Sequence, residues 1–101
     1  MARFDVHSFP GGGRRGYLLD VQADLLDGIA TRIVVPLLPP DATPVIMPDL
    51  NPTFAIATDR VVMATTQMAS VPRRELGRTV GNLEAERDAI TRALDLLLTG
   101  L

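Results

Sequence analysis

Proline decides where this chain can be helical. Six of its eight prolines lie between Pro36 and Pro52. Each fixes φ and removes a backbone donor, so that stretch is confined to edge strand or extended loop. A second break, Pro10-Gly11-Gly12-Gly13-Arg14-Arg15-Gly16, interrupts the N-terminal region, and Pro72 ends a third segment. Between these breaks the pattern is that of strands. Arg3 to Phe9 alternates, with Phe4 and Val6 on one side and Arg3, Asp5 and His7 on the other. Tyr17 to Gln22 alternates again, which predicts a hairpin across the Gly/Arg loop. Thr31 to Leu38 is rich in Ile, Val and Leu and reads as a central strand. Val45 to Met47 is expected as a short strand. Thr53–Ala57 and Arg60–Ala69 read as a second hairpin turning at Thr58-Asp59. Arg73 to Gly81 reads as a connection.

The one convincing long helix comes last. Asn82 is the expected N-cap, and Glu84, Glu86 and Asp88 place negative charge at the positive end of the dipole. Leu83, Ile90, Leu94, Leu97 and Leu101 recur at spacings that share one face. Gly100 is the expected C-cap. Strands first and one terminal helix predict an α+β fold, an antiparallel sheet or small barrel with the helix packed on one side. At 101 residues the chain makes a single domain, residues 1–101.

Composition excludes several chemistries. There is no cysteine and only one histidine, His7, so thiolate chemistry and multi-histidine metal sites are out. No metal and no other cofactor is expected. His7 reads as a surface strand residue. With a net charge of −2 and ten basic residues that are all Arg, the chain lacks the field needed to hold nucleic acid unaided. No targeting segment and no membrane span is visible, so a cytoplasmic protein is expected. Gly11 to Gly16 lacks the ending of a phosphate loop and reads as a flexible hairpin loop. Asp20, Asp24 and Asp27 read as solvated or structural carboxylates. The tail Leu96-Leu97-Leu98-Thr99-Gly100-Leu101 is unusual, since a terminus is normally polar. Leu98 and Leu101 left in water form an apolar patch, and such patches mark interfaces, here a homodimer or a partner site.

Four segments together resemble the CcdB family, the toxins of ccd toxin–antitoxin modules. They are Leu19-Asp20-Val21-Gln22-Ala23-Asp24-Leu25-Leu26-Asp27, Arg32-Ile33-Val34-Val35-Pro36-Leu37, Met63 with Thr65 to Pro72, and the tail from Leu83 to Leu101. Order and spacing match over almost the whole chain; the Gly/Arg loop and Pro39 to Pro52 diverge. The resemblance implies an SH3-like barrel of antiparallel strands with one C-terminal helix, shared with PemK-like proteins. It implies a homodimer that acts by binding, not catalysis: it inserts into the DNA gyrase A subunit dimer and traps cleaved DNA. A cognate CcdA-like antitoxin neutralises it and supplies the DNA contact when the pair represses its own operon.

Carried over by position, the gyrase-facing residues are Leu25, Leu26, Asp95, Leu98, Thr99, Gly100 and Leu101. Ser70, Val71, Leu94 and Leu97 are implied dimer contacts. Gly12, Arg14 and Arg15 are the expected antitoxin contacts. The sequence departs from the family pattern at Thr99, where the family has Trp, and at Leu98, where it has Phe. Two other readings stay open: a CcdB-like protein that keeps the antitoxin but has lost gyrase, and a PemK-like ribonuclease using Arg73, Arg74 and Asp20.

Overall fold

The computed structural model describes residues 2–10 and 15–100. Among these residues seven strands and one α-helix follow in order: β1 Asp5–Ser8, β2 Tyr17–Asp20, β3 Thr31–Leu38, β4 Thr53–Ile56, β5 Asp59–Met63, β6 Ala69–Pro72, β7 Thr79–Asn82 and α1 Arg87–Thr99. All pairings are antiparallel, in the order β4-β5-β3-β2-β1-β7, with β6 also paired to β3. The sheet curls into an SH3-like half-barrel with α1 against it. The α+β fold is as the strand order and the resemblance implied.

Curling follows from one proline. β3 gives its N-terminal half to β6 (Ile33 opposite Ser70) and its C-terminal end to β5 (Leu37 opposite Met63). In an antiparallel strand, a residue's N–H and C=O point to the same side. The Pro36 carbonyl accepts from Ala64 N at 2.9 Å, so the donor that Pro36 lacks also faces the β5–β6 side. Opposite it the ladder breaks. The chain makes a 3-10 turn at Thr65–Gln67 and returns as β6. The single strand expected over Arg60–Ala69 is therefore two strands that share β3.

Both sheet faces are covered. One cluster gathers Phe4, Val6, Leu19, Val35, Leu37, Met63, Leu83 and Ile90; a second gathers Phe9, Leu18, Val34, Leu38 and Ala64. Alternate residues of β2 and β3 thus enter opposite cores, and a wet face is missing there. This overturns the surface placement of His7, which is 1% exposed. Its Nδ1 lies 3.2 Å from the Gly77 carbonyl and 3.3 Å from Thr79 Oγ1. Gly77 is required at this point, since a Cβ would meet the Ser8 carbonyl oxygen at 2.3 Å. The segment that follows is β7, placed by its pairing with β1 where a connection was expected. All four of its residues are exposed, so it carries no hydrophobic alternation.

Val45 to Met47 is not a strand. The amides of Ile46 and Met47 are taken by Asn51 Oδ1, at 3.0 and 3.4 Å, and so are unavailable to a ladder. The helix begins later than expected. Asn82 Oδ1 does accept a backbone N–H, from Glu84 at 2.7 Å, but this caps a 3-10 turn at Glu84–Glu86 that leads into α1. Gly100 ends the helix as expected: φ is +75°, and its N–H reaches the carbonyls of Asp95 and Leu96.

Arg32 is fully buried and charged inside this core. Its Nε donates to Asp20 Oδ2 at 2.8 Å, and Nη2 lies 2.8 Å from the same oxygen. Nη1 donates to Asp27 Oδ1 at 3.2 Å. The hydrogen bond to Asp20 raises the Arg32 pKa above its ordinary value, against the opposing pull of burial, with further help from the charges of Asp20, Asp27 and Asp24. Removing one partner of such a pair leaves the other buried and uncompensated. Arg32→Met is expected to cost about 3–5 kcal/mol in urea unfolding at neutral pH. Adding Asp20→Leu should recover part of that loss, because the stranded carboxylate goes with it. A single-variant loss below about 1 kcal/mol would contradict the assignment.

Candidate partner-binding surface

Between β2 and β3 the chain leaves the sheet over residues 21–30. Within it, Asp24–Leu26 forms a 3-10 turn with no buried residue. Leu25 projects almost wholly into water at 92% exposure; Leu26 and Ile29 are about half exposed. Five polar contacts hold this projection. Arg3 N donates to Asp24 Oδ1 at 2.8 Å. Gln22 bridges, its Nε2 donating to the Leu26 carbonyl and its Oε1 accepting from Ile33 N. Arg32 and Arg73 hold Asp27. The three aspartates are thus structural, as expected: Asp20 in the core, Asp24 and Asp27 at the two ends of the turn.

The projection forms one wall of an open apolar groove of about 440 Å³. Leu94, Asp95 and Leu98 of α1 form the opposite wall, and Ile33 and Met68 the floor, with Arg3 and Thr91 at the rim. The structure therefore joins Leu26, Leu94, Asp95 and Leu98 across one groove. Leu25 stands beside it, and Leu98 is 70% exposed. Ser70 is exposed on β6, and as the cross-strand partner of Ile33 it shares the face on which Ile33 lines the groove. Val71, opposite Arg32, packs on the second core instead. Leu97 is half-buried and does not line the groove.

Thr99 and Gly100 close the helix at the same end. The Thr99 hydroxyl donates to the Asp95 carbonyl at 2.7 Å. Leu101 lies outside the described residues, as do Gly12 and Arg14 of the expected antitoxin contact. Sequence reasoning missed Arg3, Ile33 and Met68. Ile33 reads as one more core residue of a central strand, and nothing in its pattern signals that the groove reaches it.

Arg15 lies on another side of the molecule, paired with Asp41 at 3.3 Å. That bond holds the Asp41 carboxyl below its ordinary pKa. Arg15, Tyr17, Pro40 and Asp59 line a small cleft. Here the Tyr17 hydroxyl donates to Asp59 Oδ2 at 2.6 Å, tying β2 to the start of β5. The hydrogen bond, then burial and the carboxylate charge, push the Tyr17 pKa up. The folded value lies above the unfolded one. The stabilisation is therefore complete below about pH 10 and is lost as pH rises through the folded value. Tyr17 is the only tyrosine and there is no tryptophan, so tyrosinate absorbance follows this one group. Asp59→Asn is expected to move its midpoint back toward 10; an unchanged midpoint would refute the tie.

Among solved structures, an endoribonuclease in complex with its cognate antitoxin, from a mycobacterial species, superposes with a TM-score of 0.77. The match covers 100% of this chain and 96% of that one at 22% identity, and so speaks to the fold. At the level of sequence, the family model described as CcdB protein matches residues 3–100. Together with the barrel just described, that match places the chain in the CcdB family.

Proposed function

We propose that the protein is the toxin of a type II toxin–antitoxin pair and acts by binding the DNA gyrase A subunit. As a homodimer, it holds gyrase on cleaved DNA. A CcdA-like antitoxin neutralises it and carries the DNA contact of the pair. The observation that carries this reading is the Leu25 projection. A leucine at 92% exposure, standing beside an apolar groove that Leu26 and Leu98 line, loses free energy in water until a partner covers it. These are the positions that the family resemblance assigns to gyrase, with Asp95, Thr99, Gly100 and Leu101. Ser70, Leu94 and Leu97 serve the dimer in this reading, with Val71 behind them. The antitoxin takes Arg15 with Gly12 and Arg14.

Thr99 favours a second reading, a toxin-like fold that binds antitoxin and has lost gyrase. A buried interface tryptophan contributes about 2–4 kcal/mol, or roughly 30- to 1,000-fold in affinity. Thr99 spends its hydroxyl on its own helix and offers a partner no ring. Two of the three candidates of the ribonuclease reading are engaged elsewhere, while Arg74 is exposed. Asp20 is fully buried against Arg32, and Arg73 is bonded to Asp27, so neither is poised as a general acid or base.

Purified protein incubated with gyrase and supercoiled DNA is expected to accumulate linear DNA. Leu25→Asp and Leu98→Asp should abolish that product while shifting unfolding free energy by no more than about 0.5 kcal/mol, since both side chains are exposed. Thr99→Trp should increase it. If neither wild type nor Thr99→Trp yields cleaved DNA, gyrase poisoning is refuted, and antitoxin binding without cleavage would establish the second reading.

A further inference from the structure

We propose that Arg73 is a positioning residue for the Leu25–Leu26 projection, acting through Asp27. The inference rests on the proposed use of that projection and identifies what holds it in shape. Packing does not do so. The turn buries no side chain, and Gly28 beside it has no atom within 4 Å of where a Cβ would stand. A segment without core contacts opens locally at little cost unless polar ties restrain it. Two such ties reach the turn itself, Arg3 to Asp24 at its start and Gln22 to the Leu26 carbonyl at its end. Where the chain leaves the turn toward β3, side-chain ties converge on Asp27.

Two arginines reach Asp27, and they are not equivalent. Arg32 is committed to Asp20 through Nε and Nη2, each 2.8 Å away, and spares only Nη1 for Asp27 at 3.2 Å. Arg73 comes from 46 residues further along the chain, where β6 ends. It donates Nη1 to the Asp27 main-chain carbonyl at 2.6 Å, and its Nη2 lies 3.7 Å from Asp27 Oδ1. A guanidinium on a carbonyl is a charge-assisted bond, stronger than a neutral pair. The Arg73 amide also donates to the Ala30 carbonyl at 2.9 Å. That backbone bond survives any substitution at 73, so a side-chain change cuts the tie to Asp27 and leaves the β3–β6 junction in place. An Asp27 variant would instead disturb the buried Arg32 as well.

The test compares wild type, Arg73→Gln and Arg73→Lys by amide hydrogen exchange and by affinity for the purified gyrase A subunit. The reporters are the amides of Asp27 and Ile29, bonded to the Asp24 and Leu26 carbonyls. The Met63 amide, bonded to the Pro52 carbonyl, reports the sheet. Arg73→Gln is expected to speed exchange at Asp27 and Ile29 about tenfold, the size of one lost charge-assisted hydrogen bond. Met63 exchange should stay far slower than both, and the melting temperature should fall by no more than about 10 °C, since the sheet itself is intact. Gyrase A affinity should fall by a similar factor, and Arg73→Lys, which keeps a charged donor, should restore part of both. Unchanged exchange at Asp27 and Ile29 overturns the proposal. Faster exchange with unchanged gyrase affinity also overturns it, because the tie would then order the loop without serving the surface. If wild type binds no gyrase A, the proposed function falls by itself, while exchange still decides whether Arg73 orders the projection.

Discussion

A guanidinium with no exposure to water sits between the sheet and the connection over residues 21–30. Arg32 has no solvent to stabilise its charge, so Asp20 and Asp27 must do it. Pairs like this contribute little net stability compared with apolar side chains of the same volume, because desolvation consumes most of the Coulomb gain. Their worth lies in geometry. Arg32 keeps its carboxylate partners only when β2, β3 and the 24–27 turn are in register, since Asp20 ends β2 and Asp27 follows the turn. A slip of one residue in the β2–β3 pairing would strand a buried charge. The projecting leucines are thus referenced to the core through the same side chain that fixes the core's register.

Pro36 acts in the opposite way, by a missing bond. Without its N–H, no single strand can run the whole length of β3 on that side, and the chain is divided between β5 and β6. That division closes the sheet toward a barrel and gives it two covered faces. It also compensates for a composition with few aromatics. Phe4, Phe9, Phe54 and Tyr17 make up only 4% of the chain, and a flat sheet with one wet face would leave its Val and Leu residues without neighbours. Curling brings Leu18, Val34 and Leu38 into a second cluster, while Leu19, Val35 and Leu37 fill the first.

What could be read from the sequence follows the same physics. β3 was legible to the residue because a strand with a core on each face is a near-continuous apolar run, here Ile33 to Leu38, bounded by a proline. The helix end was legible because an αL cap calls for glycine at position 100. β7 was not legible: its four exposed residues owe their strand to the β1 backbone alone. His7 was misplaced because alternation presumes one face in water, and here both are covered. The candidate surface divides likewise. Leu26, Asp95 and Leu98 were named through resemblance, and they line one groove. Ile33 and Met68 were not, since a residue flooring a groove and a residue sealed in a core carry the same apolar signature.

The helix end separates folding from recognition. Ile90 and Ala93, both fully buried, anchor α1 to the sheet, and Gly100 satisfies the last carbonyls in a conformation that would cost another residue roughly 1 kcal/mol. Thr99 closes its own hydroxyl onto Asp95. None of these contacts passes through the side chain of Leu98, which is 70% exposed. The fold therefore places little demand on the side chain at position 98, while at position 99 the hydroxyl serves the helix itself. A departure from the family pattern at position 98 is the kind that selection on a binding surface can make without selection on stability. Gly100, which the helix itself requires, is where such freedom ends.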